Sequence, residues 1–172
     1  MEEVQTGKGT SVRRRMKPKN DFIFQKLFGE EESKGSLISL LNAILGLEGE
    51  KRIRYLKVKE SKQLSKKMID DKTGRLDIAA ETDDRVQYDI EMQLTDYRNM
   101  ARRSLFYMSK MYIGSITQGD DYSKLKRTVT INLLDFILFK DREPFHSTFH
   151  LYDDRDKSLL LTDAFEVHFL EL

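Results

Sequence analysis

Apolar and polar positions alternate with a period of two over residues 76–93, the signature of strands with one apolar and one polar face. Leu76, Ile78 and Ala80 interleave with Asp77, Ala79 and Glu81, and Val86, Tyr88, Ile90 and Met92 interleave with Gln87, Asp89, Glu91 and Gln93. Keeping the apolar faces together selects one hairpin register, because a slip of one residue turns an apolar set toward its partner's charges. That register pairs Thr82 with Val86 around the loop Asp83-Asp84-Arg85, sets Ile78 opposite Ile90 and Ala80 opposite Tyr88, and puts Asp77 across from Glu91, one step from Gln93.

Helical spacing dominates the front of the chain. Phe22, Ile23, Phe24, Leu27 and Phe28 predict a helix that starts at Asn20 or Asp21 and stops at Gly29. A second helix is predicted over about 33–46, with Ser33 at its start and Gly46 at its end. Ile53–Lys59 reads as a strand. After the hairpin a long helix is predicted over about 95–117, with Tyr97, Ala101, Leu105, Met108, Tyr112 and Ile116 as its apolar face. The nearly continuous apolar run Thr128–Phe139 reads as a central strand covered on both faces, and strands at about 145–152 and 164–171 follow. The order predicts an α/β fold, a mixed β-sheet flanked by helices.

The length of 172 residues suits one domain, here 17–172, after a basic tail over 1–16 that lacks apolar periodicity. With 39% hydrophobic and 34% charged residues, no long apolar run and no apolar segment behind Arg13, Arg14 and Arg15, the chain reads as cytoplasmic with no membrane partner. The absence of cysteine excludes disulfides, thiolate metal sites and thiol nucleophiles, so any metal sits on oxygen or imidazole. The net charge of +1 conceals an asymmetry: residues 1–67 hold 16 Lys/Arg against 9 Asp/Glu, and 120–172 hold 7 against 11. Such a cationic front attracts polyanions and equally describes a solvated surface.

Asp77 opposite Glu91 is the arrangement that changes the picture. Like charges facing each other across a sheet repel, and a divalent cation or a proton relieves the repulsion. Mg²⁺ binds through one or two carboxylates together with water and substrate phosphate. A solvated face on an exposed hairpin satisfies the same pattern. His146 and His150 offer no zinc site, since four strand residues separate them by roughly 13 Å, and His168 reads as a partly buried strand residue. No Gly-x-Ser-x-Gly elbow or glycine-rich phosphate loop is present.

Asp77 followed by Glu91-Met92-Gln93 resembles the Asp…(Asp/Glu)-x-Lys signature of the PD-(D/E)XK nuclease superfamily. The chain is most similar to its Rpn-type transposases, the recombination-promoting nucleases. The segments that carry the resemblance are Asn20–Phe28, Leu40–Leu45, Leu76-Asp77-Ile78, Ile90–Gln93, Arg103–Tyr107 and Phe169–Leu172, spanning about 17–172. Leu76 replaces the proline of the superfamily name, Gln93 replaces its lysine, and Ser115 stands where a glutamine often follows the tyrosines of the long helix.

The resemblance implies a restriction-endonuclease-like core and a DNA endonuclease that hydrolyses phosphodiesters with Mg²⁺, for which Mn²⁺ can substitute. It makes Asp77 and Glu91 metal ligands and Gln93 the residue that orients water. Asp21 is a further candidate acid, though Asp at that position also suits an N-cap. Lys62, Lys66, Lys67, Arg98, Arg102 and Arg103 are candidate DNA contacts, with an ordinary solvated face as the alternative reading. A catalytically inactive DNA-binding or assembly remnant of a mobile element would keep the same fold, and RNA is a rival substrate. Cleavage of both strands needs two active sites, which a homodimer would supply. Relatives usually continue beyond the position of Leu172, which leaves a C-terminally truncated domain, an arbitrary end point and a decaying mobile-element copy as alternatives.

Overall fold

The computed structural model describes residues 21–59, 77–141 and 145–172. The tail over 1–16, Leu76 and the candidate DNA contacts Lys62, Lys66 and Lys67 lie outside them. Helix α1 (Asp21–Phe28) and helix α2 (Lys34–Ile44) come first. Ser33 takes part in a reciprocal capping box with Glu30, and Gly46, in the left-handed region at φ 61°, follows α2 where a side chain would be strained. Strands β1 (Leu56–Lys59), β2 (Ile78–Thr82) and β3 (Gln87–Gln93) lead to helix α3 (Met100–Ile113), and strands β4 (Thr128–Leu134), β5 (His146–Tyr152) and β6 (Leu160–Glu171) complete the order.

The strands form one mixed sheet in the order β1-β2-β3-β4-β6-β5. β3, β4 and β6 are parallel neighbours, and the outer pairs are antiparallel. A parallel pair needs a crossover, which α3 supplies between β3 and β4. The hairpin has the predicted register: Ile78 pairs with Ile90 and Ala80 with Tyr88, and the loop closes with Thr82 N–H donating to Val86 O at 3.0 Å.

The two faces of this sheet differ in chemistry. Under α1 and α2, Phe24, Leu37 and Leu41 pack on Ile78, Ala80, Ile90, Met92, Val129, Ile131 and Leu133, an apolar core. Each buried Phe, Leu, Ile, Val or Met side chain there is worth about 1.5–3 kcal/mol. Under α3 the sheet presents Gln87, Asp89, Glu91, Thr128, Thr130 and Asn132, all buried. The polar face of the hairpin is therefore roofed by a helix, and the solvated alternative does not apply.

Three expectations need correction. The helix predicted over 95–117 is confined to Met100–Ile113, because Asp96 accepts the N–H of Arg98 at 2.7 Å in a turn where Arg98 adopts φ 58°. Its buried face is Met100, Ser104, Tyr107, Met108 and Met111, while Tyr97 and Leu105 are exposed. Met100 and Met108 pack on Leu134, Val167 and Phe169, Met111 packs with Ala79 and Tyr107, and Ser104 accepts from Asn132 of the sheet at 2.9 Å. The strand predicted over Thr128–Phe139 stops at Leu134, after which Phe136, Leu138 and Phe139 fold back onto Leu134 and Phe169.

Candidate active site

Asp77 immediately precedes β2 and Glu91 lies within β3, and the register that pairs Ile78 with Ile90 makes them neighbours across the ladder. Their backbones tie the two acids together. The N–H of Asp77 donates to Glu91 Oε1 at 3.2 Å, and Asp77 Oδ2 accepts the N–H of Met92 at 2.8 Å. From α1, Gln25 Nε2 donates to the carbonyl of Asp77, so the first helix fixes the strand's entrance.

Glu91 is 1% exposed, and its second oxygen, Oε2, accepts from Arg103 Nη2 at 3.0 Å. Arg103 comes from the first turn of α3. Its Nη1 donates to Gln93 Oε1 at 2.6 Å, and Gln93 Nε2 donates to Thr95 O at 3.0 Å, which orients the amide. The guanidinium also sits over the Tyr107 ring, 5.4 Å from its centre.

Burial, followed by the charge of Asp77, pushes Glu91 up to about 7 against the opposing pull of Arg103. Asp89 is raised well above the ordinary carboxylate range, by its complete burial first and then by Glu91 and Asp77. Neither oxygen of Asp89 has a hydrogen-bond partner, which fits a protonated carboxylic acid beneath the site. Asp89 was not singled out from the sequence. The available signal was its place two residues before Glu91 on the same strand face, which becomes informative only once a helix is known to cover that face.

The other candidates are distributed unevenly. Arg102 and Arg98 are exposed and Arg98 lies outside the helix; of the three arginines, Arg103 is the one that hydrogen-bonds Glu91. Asp21 is the first residue of α1, and its side chain lies outside what is described. Ser115 donates to Tyr112 O at 2.6 Å and accepts the Lys126 N–H at 3.2 Å, a turn-stabilising role.

Among the described residues no group of three or more His, Asp or Glu side chains converges as a metal cage. Two carboxylates and an amide oxygen are nonetheless hard oxygen donors, and they fit an ion such as Mg²⁺ that keeps several waters and shares its substrate's phosphate. A buried Glu91 beside a half-buried Asp77 is also an arrangement in which a cation relieves a standing repulsion.

On the opposite face His168 is buried, not partly exposed as expected. Its Nε2 lies 2.8 Å from Glu166 Oε1 and its Nδ1 lies 2.8 Å from His146 Nε2. No helix among the described residues is long and apolar enough to cross a membrane.

Comparison with the curated proteins and with the solved structures gives no match. The model of the PD-(D/E)XK nuclease family transposases matches residues 18–172, which include α1, the sheet and all of the acids described above. A match over that span shows the family, and the chain belongs to the PD-(D/E)XK nuclease family transposases.

Proposed function

We infer that the protein is a cytoplasmic, Mg²⁺-dependent DNA endonuclease that promotes recombination by hydrolysing phosphodiester bonds. The observation that carries this reading is the joining of Asp77, Glu91 and Gln93 in one hydrogen-bonded cluster, roofed by α3, in a chain of a nuclease family. Asp77 and Glu91 hold the cation, and Mn²⁺ substitutes for Mg²⁺. When bound, such an ion neutralises developing charge on the phosphate and lowers the pKa of water near neutral pH.

The remaining work falls to side chains of this chain. Gln93 presents an amide that orients the attacking water through hydrogen bonds and supplies neither charge nor a base. Exposed Arg98 and Arg102, together with Lys62, Lys66 and Lys67, contact the phosphate backbone and give affinity with little sequence choice. Asp21 is a candidate further acid, and a homodimer would supply the two sites that double-strand cleavage needs.

Nicking of supercoiled plasmid by the intact chain tests the reading. Cleavage is expected only with Mg²⁺ or Mn²⁺, and Asp77→Ala and Glu91→Ala are each expected to abolish it while DNA binding persists. Cleavage undiminished in both variants would sink the site assignment. Absence of both cleavage and metal-binding heat would favour a DNA-binding remnant of a mobile element, and preferential cleavage of RNA would reassign the substrate.

A further inference from the structure

Arg103 stands out because it contacts both Glu91 and Gln93 while using its donors incompletely. It binds Glu91 through Nη2 alone, it binds Gln93 through Nη1, and its buried Nε has no hydrogen-bond partner. A guanidinium committed to one carboxylate forms two parallel bonds to it; here the fork is split between a carboxylate and an amide. The side chain is 30% exposed, so the guanidinium reaches the mouth of the site while Glu91 stays inside.

Both oxygens of Glu91 accept protein N–H donors, Oε1 from Asp77 and Oε2 from Arg103. Arg103 therefore holds a position that a cation bound to Glu91 would share, and two positive charges on one buried oxygen repel strongly where water does not screen them. Asp89 lies close enough to Arg103 to feel its charge but makes no hydrogen bond to it. The outward alternative for the freed guanidinium is an anion arriving from solvent.

We propose that Arg103 couples cation binding to substrate binding: it positions Glu91 and Gln93 in the metal-free site, releases Glu91 when a divalent cation is bound, and then donates to a phosphate oxygen of the nucleic acid. This rests on the nuclease reading above. It makes Arg103 a positioning residue without substrate and a phosphate-contacting residue with it. Cation and nucleic acid then favour each other's binding, because each removes Arg103 from competition with the other.

The experiment is Mn²⁺ binding to the intact chain, measured calorimetrically with and without a saturating phosphorothioate DNA duplex that resists hydrolysis. Without DNA, Arg103→Met is expected to bind Mn²⁺ at least about threefold more tightly than the parent, because a competitor is gone. The duplex is expected to tighten Mn²⁺ binding by the parent about fivefold or more, within the usual range of such couplings, and to leave Arg103→Met unchanged. Should Arg103→Met fail to fold, Arg103→Gln, which keeps a donor for Gln93 without the charge, carries the same comparison. Equal or weaker Mn²⁺ binding by the variant, while the parent binds Mn²⁺ and cleaves DNA, overturns the coupling and leaves the nuclease reading standing. A parent chain that binds no Mn²⁺ overturns both.

Discussion

Asp77 and Glu91 are joined through main chain: the N–H of Asp77 donates to the Glu91 carboxylate at 3.2 Å, and the N–H following Glu91, that of Met92, donates to Asp77 at 2.8 Å. Each acid thus caps the other's strand. Structure and activity respond differently to substitution as a result. Asp77→Asn keeps a side-chain oxygen for the Met92 N–H and is expected to leave stability within about 0.5 kcal/mol, whereas Asp77→Ala leaves that donor unsatisfied and costs about 1–3 kcal/mol. Both are expected to eliminate metal-dependent nicking. Urea denaturation beside a plasmid assay separates the two effects, and equal stability of the two variants would show that the Met92 bond carries no weight.

Glu91 makes the fold sensitive to rising pH. Burial and Asp77 raise it from its ordinary 4.5 to about 7, so the folded state holds a proton that the unfolded chain has released. The stabilisation is present below the unfolded value and is lost as pH rises through about 7. Relative to the parent, Glu91→Gln is therefore expected to gain stability as pH rises from about 5 to about 8. Mn²⁺ is expected to raise the parent's melting temperature above pH 7, and not that of Glu91→Gln, because a ligand stabilises only the state that binds it. Melting curves across that pH range, with and without Mn²⁺, read both effects; parallel profiles for the two proteins would remove Glu91 as the titrating group.

The hairpin was legible in the sequence because strict alternation leaves one register that segregates Leu76, Ile78 and Ala80 from Asp77 and Glu81. The face of α3 was not. Leu105 and Tyr97 have the right spacing for a core stripe, yet they face outward, since the surface that α3 covers is assembled from β3, β4 and β6, among them Glu91, Asn132, Leu134 and Phe169. Asp89 and the role of Arg103 were hidden because they depend on how α3 folds back over β3, which strand and helix periodicity do not show, although the partners of Arg103 lie only 10 and 12 residues earlier. Apolar continuity also ran past Leu134, because residues that fold back onto a core are as apolar as a central strand.

Asn42 offers a test of how the first two helices hold the edge of the sheet. Its amide clamps the backbone of Ile53 at both groups, donating from Nδ2 to the carbonyl at 2.9 Å and accepting the N–H on Oδ1 at 2.8 Å. The side chain is 4% exposed, so neither bond is readily replaced by water. Asn42→Ala removes both and is expected to cost about 2 kcal/mol, with Asn42→Asp intermediate because it retains one acceptor. Chemical denaturation measures this directly. A loss below about 0.5 kcal/mol would mean that the segment leading into β1 is held by other contacts.

The imidazole pair on the far face predicts a loss of stability in acid. With Glu166 held down to about 2, chiefly by its bond to His168 and with further help from Arg127, its carboxylate stays ionised and accepts from His168 Nε2–H. The Nδ1 of His168 lies 2.8 Å from His146 Nε2, a contact that links edge strand β5 to β6. Burial and the neighbouring His168 lower His146 below its ordinary 6.5, so the unfolded chain takes up a proton that the folded chain refuses. The stability this arrangement contributes is present above about 6.5 and is lost as pH falls through the folded value. His146→Gln keeps an amide that can donate to or accept from His168 and cannot titrate. Between about pH 6.5 and 5 its unfolding free energy is expected to fall less steeply than the parent's, and an unchanged slope would show that His146 does not contribute to the acid limit.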